Sequence, residues 1–128
     1  MSESKTWVSI PPMNSPRQWF GATSTNNGKI YVTGGSSFVK DPVMLSSAEV
    51  YDTVSNKWTS LPNMDEKREG CAAVSIDGKV YVVGGYDEHQ RYLASCEMFD
   101  PDTNRWTRLP AMAQSRSYCA ACAIDNKL

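Results

Sequence analysis

The side chains able to do chemistry in this 128-residue chain are a Cys119-x-x-Cys122 pair, a lone His89, and two recurrent sets: Glu49 with Glu97, and Arg17 with Arg68 and Arg116. The cysteine spacing is that of half a zinc site or of a redox dithiol. In a strand, however, residues three apart point to opposite faces, and a tetrahedral zinc site needs a second pair that the sequence lacks. Cys71, Cys96, Cys119 and Cys122 are few for a disulfide scaffold and read as free thiols filling small apolar gaps. His89 falls in a polar loop and reads as solvated. No Ser/His/Asp set has credible spacing, and the glycine pairs close strands instead of opening a helix, so no phosphate-binding loop is expected. Glu49 and Glu97 recur once per repeat, which fits a structural task such as accepting backbone hydrogen bonds within a unit. No catalytic residue, metal ligand or cofactor is expected.

Composition narrows the partners. The chain is 41% hydrophobic and 21% charged, as in a soluble globular domain, and its length allows one domain or less. Thirteen Lys and Arg lie scattered among fourteen Asp and Glu, for a net charge of -1, which leaves no footprint for a phosphate backbone and argues against nucleic acid. No apolar run approaches the ~20 residues that span a bilayer. "MSESKTWVSI" has neither the basic start nor the apolar core of a signal peptide. A cytoplasmic protein without membrane contact is expected.

The elements that position these residues repeat. "TWVSIPPMNSPR", "KWTSLPNMDEKR" and "RWTRLPAMAQSR" share one register, in which Trp7, Trp58 and Trp106 precede Met13, Met64 and Met112 by six residues and the arginines follow by four. "GKIYVTGG" answers "GKVYVVGG", and "AEVYD" answers "CEMFD". The tryptophans are 51 and 48 residues apart, and the difference falls in two places. One extra residue lies between Arg17 and Lys29, and two lie between Gly35 and Glu49, which marks both connections as loops.

Within a unit the period is two, and β-branched and aromatic residues dominate. Four strands are expected: a, 71–76; b, 79–85; c, 95–100; d, 105–109. Asn27-Gly28 and Asp77-Gly78 suit two-residue type I′ turns, because both central residues need positive φ. "DTVSN" and "DPDTN" turn c into d. A four-stranded antiparallel meander repeated with turns in the same places is a propeller blade. Strand a, poor in bulk, suits the crowded axis, and strand d carries its Trp at the periphery. The glycine pairs imply a close approach of backbone or of an aromatic ring, and Trp58 and Trp106 are expected to be buried beside them.

Gly-Gly, then Glu-x-(Tyr/Phe)-Asp, then Trp six residues before Met, then Arg four residues on, resembles the kelch repeat over nearly the whole chain, and looks especially like blades of the BTB-kelch adaptors. The Gly-His and Trp-Asp dipeptides of a WD40 propeller are absent. The resemblance implies an all-β kelch-type propeller fragment. Residues 1–18 would be strand d of a preceding blade and a connection; 19–66 and 67–114 would be complete blades; 115–128 would start a further, truncated blade. Such a chain cannot close a ring alone, which implies a piece of a longer protein and self-association through exposed blade faces.

Binding, not turnover, is the use this implies. Arginine's rigid fork suits carboxylates, so Arg17, Arg68 and Arg116 around a central mouth would favour an acidic or phosphorylated peptide. The resemblance adds Ser117 and Tyr118 beside Arg116, and Tyr86 and Arg91 in the b-to-c loop. It also implies substrate recognition for a cullin-type ubiquitin ligase, with actin or scaffold binding as the alternative. Galactose oxidase is built on related repeats. Its copper site uses two histidines, whereas this chain has one, so an enzyme reading requires an active site outside this chain.

Overall fold

The structure, a computed structural model, describes residues 5–128. Ten strands run β1 (Gly21–Thr25), β2 (Lys29–Thr33), β3 (Ser36–Ser37), β4 (Val43–Met44), β5 (Ala48–Asp52), β6 (Lys57–Leu61), β7 (Ala72–Ile76), β8 (Lys79–Val83), β9 (Cys96–Asp100) and β10 (Arg105–Leu109). They form two four-stranded antiparallel meanders, β1-β2-β5-β6 and β7-β8-β9-β10, and a two-stranded ribbon, β3-β4. The fold is all-β, and neither sheet closes on itself.

Each turn follows from its residues. Asp77 and Gly78 both have positive φ, as a two-residue type I′ turn requires. The equivalent turn in the first sheet differs: three residues, Asn26 to Gly28, separate β1 from β2, and of these only Gly28 is left-handed. The extra residue makes this a three-residue loop closed by a left-handed glycine, whose amide donates to the Thr25 carbonyl at 3.3 Å. Asn56 and Asn104, both left-handed, end the outer turns.

The sheets stack through Tyr31, Val50, Met64, Cys71, Val80, Val82 and Phe99, drawn from both. Along β8, Val80 and Val82 point into this layer and are fully enclosed, the outcome of their period-two spacing. β1 and β7 run side by side, where a side chain on Gly21 would sit 3.0 Å from the Ala73 Cβ, so the poverty of bulk in these strands reflects real crowding.

The glycine pairs lie just past β2 and β8, which end at Thr33 and Val83, and all four glycines have positive φ. What approaches them is backbone. A Cβ on Gly34 would stand 2.4 Å from the Arg68 carbonyl oxygen, and one on Gly84 2.3 Å from that of Arg116. The expected tryptophans are elsewhere, because the outer strand that carries them is at the far side of the sheet. Trp58 packs on Tyr51 and Trp106 on Phe99, each at 5.2 Å between ring centroids. Both are half-buried instead of buried, and each indole N–H donates to a carbonyl of the preceding connection, Pro11 or Pro62, at 2.8 Å. Trp106→Ala is therefore expected to cost about 2–3 kcal/mol, below the ~3–5 of a fully buried ring. An unchanged chemical-denaturation midpoint would contradict this placement.

Residues 5–10, expected as an outer strand, form none, and Trp7 is fully exposed. A strand exists only where a neighbour completes its ladder, and none of the described strands pairs with this segment. Ala120 and Ala121 likewise form no ladder. Beyond them, Ile124 bridges Lys127 across left-handed Asp125 and Asn126, repeating the turn geometry of Asp77-Gly78.

Candidate binding rim and its arginine clamps

A meander sends alternate connections to opposite ends of the strands. The short turns 26–28, 53–56, 77–78 and 101–104 share one rim of the two sheets. The long connections 34–47, 62–71 and 84–95, with the segments 11–20 and 110–118, share the other. All seven residues expected to bind a partner belong to this second rim.

Arg17 and Arg68, however, are turned inward. Arg17 donates from Nη1 to the carbonyls of Gly34 (2.9 Å) and Ser47 (3.0 Å) and from Nη2 to Glu49 Oε1 (2.8 Å). Arg68 repeats this, Nη1 to Gly84 (2.8 Å) and Ser95 (2.9 Å), Nη2 and Nε to Glu97 Oε2 (3.0 and 3.1 Å). Both guanidinium groups have no exposed surface. Their expected contact with an acidic partner is corrected: a carboxylate is indeed bound, but it is the protein's own. The glutamates complete the clamp by accepting the backbone amides of Asn14 and Ser15 (Glu49) and of Asp65 and Glu66 (Glu97). These amides belong to the connection entering each sheet from the preceding repeat. The tie therefore runs between repeats, not within one as expected.

Arg116 is exposed, and among the described residues its side chain has no carboxylate partner. Arg91 is also exposed, but its Nε and Nη2 are fastened to Asp87 at 2.8 and 2.7 Å. Burial alone would raise the Asp87 carboxyl; Arg91 and the amides of Arg91 and His89 outweigh it and hold it below the usual range. Tyr86 is half-buried, exchanges backbone hydrogen bonds with Glu69, and lies 5.3 Å from the Tyr92 ring. Ser117 is half-buried beside Tyr118.

Tyr118 leads to what sequence reasoning missed. It sits two residues after its arginine, as do Trp19 and Gly70, and all three have positive φ: 50°, 53° and 62°. Backbone bonds of 2.7 Å stitch them across the repeats, Gly70 N to Trp19 O and Tyr118 N to Gly70 O. Gly70 leaves a gap that Tyr118 covers, and Trp19 packs edge-on against both Tyr118 (6.3 Å) and Phe38 (5.8 Å). Trp19 is 48%, Phe38 50% and Tyr118 63% exposed, so the rim carries a continuous aromatic surface. The shared spacing from each arginine was the available signal.

The Tyr118 hydroxyl donates to Glu69 Oε1 at 2.6 Å. That bond, helped by burial and the Glu69 charge, pushes the phenol up from 10.0 to about 12. Because the folded-state value is raised, the stabilisation is full below pH ~10 and disappears as pH rises through about 12. Tyr118→Phe is expected to delete a late-ionising tyrosine from a spectrophotometric titration; loss of an ordinary one would refute the bond.

Comparison with known proteins decides the family. The FKB95, Kelch-repeats domain matches residues 2–128. The chain belongs to the kelch-repeat family. Kelch-like protein 40 of Mus musculus is 39% identical over 80 residues, 62% of this chain and 12% of that relative. F-box/kelch-repeat protein At1g74510 of Arabidopsis thaliana is 40% identical over 83 residues, 65% of this chain and 18% of that relative. Kelch-like protein 28 of Homo sapiens is 35% identical over 96 residues, 71% of this chain and 16% of that relative. The chain thus spans less than a fifth of each of these relatives' lengths. Among the described residues no three His, Cys, Asp or Glu converge as metal ligands, and no helix is long and apolar enough to cross a membrane.

Proposed function

We propose that this kelch segment recognises a substrate protein through the rim of long connections, as part of an adaptor that presents substrates to a ubiquitin ligase. The observation that carries the binding half is the backbone of Trp19 and Tyr118. A bulky residue with positive φ is strained, and Gly70 occupies the equivalent place without that strain. Aromatic side chains held there at a cost, and left half in solvent, point to a contact surface. Support for the ligase half comes from the pairing of kelch repeats with an F-box in one relative's name and from the likeness to BTB-kelch blades.

Trp19→Gly combined with Tyr118→Gly is expected to abolish capture of the partner by the intact protein while its thermal melt stays cooperative. Replacing Asn26, Val54 or Asp102 on the opposite rim is expected to leave capture intact. The reverse pattern rejects this rim.

Self-association is the second part of the reading. On the outer face of the second sheet, Ala72, Val83 and Cys96 are packed against by the half-buried Leu109, Met112, Cys119 and Ala121, and among the described residues Arg116 has no carboxylate partner such as Arg17 and Arg68 hold. A further kelch-type blade fits both features. Sedimentation of the isolated chain is expected to reveal species larger than a monomer; a stable, cooperatively unfolding monomer contradicts it.

A further inference from the structure

Resting on the rim reading above, we infer that the second repeat's part of the rim binds a basic side chain, Lys or Arg, of the partner protein, held against the Glu69 carboxylate by Tyr86, Tyr92 and Tyr118. This is the opposite charge to the acidic peptide that the arginine set suggested.

The backbone brings these groups together. Glu69 and Tyr86 exchange both backbone hydrogen bonds, at 2.9 and 2.7 Å, and Tyr86 in turn bridges Tyr92. Directly opposed residues of an antiparallel pair project from the same face, so the three side chains form one row. Tyr118 closes the other end of that row from the following repeat, its hydroxyl donating to Glu69 Oε1 at 2.6 Å. The outer rings, Tyr92 and Tyr118, are each 63% exposed and Tyr86 is half-buried, whereas Glu69 is 8% exposed. The carboxylate is therefore recessed between tyrosines that remain open to solvent.

Charge sets the occupant. Every other acidic side chain of the connections 62–71 and 84–95 has a basic partner: Asp65 pairs with Arg108, Glu66 with Arg68, Asp87 with Arg91 and Glu88 with Lys67. Among the described residues Glu69 has none, Arg116 included, and its side chain accepts one hydrogen bond, from the neutral Tyr118 phenol. A carboxylate withdrawn from water and given a single neutral donor gains more from an opposite charge than a hydrated one does. The tyrosines add a second attraction, since a Lys or Arg head is drawn to the negative face of an aromatic ring. An anion meets the reverse, repelled by the Glu69 charge and by the ring faces alike.

The framework does not require this carboxylate. The position after each arginine holds Gln18, Glu69 and Ser117, and Gln18 makes with Ser36 the same backbone exchange that Glu69 makes with Tyr86. A neutral residue therefore serves equally well in the scaffold. The clamp glutamates, Glu49 and Glu97, recur from repeat to repeat, whereas the Glu69 charge and its flanking rings are particular to the second.

The test is selection of a phage-displayed random peptide library on the intact protein, followed by affinity measurement on variants. Enriched sequences are expected to carry Lys or Arg. Glu69→Gln keeps an acceptor for the Tyr118 hydroxyl and is expected to weaken the enriched peptide about tenfold or more, the scale of removing one charge from a desolvated pair. Its melting temperature should stay within a few degrees, since glutamine already serves at position 18. Tyr92→Leu, at an exposed ring, leaves the carboxylate untouched and is expected to weaken the peptide about threefold. Asp102→Asn removes the same charge from the opposite rim and is expected to change nothing. Equal weakening by Asp102→Asn, or enriched peptides of any charge that ignore both Glu69→Gln and Tyr92→Leu, overturns this inference; the rim reading stands if those peptides still depend on Trp19 or Arg116. No enrichment, or peptides indifferent to Glu69, Tyr92, Trp19, Tyr118 and Arg116 alike, overturns both.

Discussion

Arg68→Ala is expected to lower the unfolding free energy by about 3–5 kcal/mol, the scale on which one partner of a buried ion pair is lost. The substitution strips six hydrogen bonds from a guanidinium with no solvent exposure, counting those to Gly84, Ser95 (carbonyl and hydroxyl), Glu66, and Glu97 through two nitrogens. Glu97, 1% exposed, is left with only the Asp65 and Glu66 amides to compensate its charge. Replacing both members, Arg68→Met with Glu97→Leu, is expected to recover part of the loss, because no buried charge then stands alone. Arg116→Ala is the internal comparison. Its side chain is exposed and has no carboxylate partner among the described residues, so its cost should stay within ~0.5 kcal/mol. Equal effects at positions 68 and 116 in urea denaturation would remove the distinction between clamp and free arginine.

Gly34→Ala is expected to cost about 3 kcal/mol or more, from two sources that a second substitution separates. Its φ of +65° is unfavourable for any residue with a Cβ, a term of ~1 kcal/mol. The new methyl would also lie 2.4 Å from the Arg68 carbonyl, a backbone atom fixed by its bond to the Gly35 amide, and cannot be accommodated without moving the next repeat. Gly78, with φ +75°, is surrounded by open space, with nothing within 4 Å of where a methyl would stand. Gly78→Ala therefore reports the backbone term alone, about 1 kcal/mol. A Gly34→Ala loss no larger than that of Gly78→Ala would show that the repeats do not meet at this carbonyl.

These two effects also explain how much was legible beforehand. Strands and turns were readable because their causes are local: Val80 and Val82 fall on one face by alternation, and Asp77-Gly78 determines its own dihedrals. The glycine pair was legible as a close approach, but not its partner, since Arg68 and Trp58 recur with equal regularity and only the path of the chain decides which comes near. The arginines were legible as a set. Their direction was not, because an inward clamp and an outward ligand site use the same residue type, and the matching recurrence of Glu49 and Glu97 was the clue that the carboxylate is internal. The aromatic rim escaped notice for the opposite reason. Trp19, Gly70 and Tyr118 share a backbone geometry but no side chain, and a search for repetition passes over residues that vary between repeats. In this chain the clamp recurs, and the exposed surface differs.

The central claim, that recognition belongs to the rim of long connections while the clamps beneath it only hold that rim in place, is tested most directly by hydrogen–deuterium exchange on the intact protein with and without its bound partner. Added protection is predicted at residues 17–20 and 36–45 and around Tyr118, with no change at the turns 26–28, 53–56, 77–78 and 101–104. Protection concentrated at those turns, with the long connections unaffected, would contradict the account.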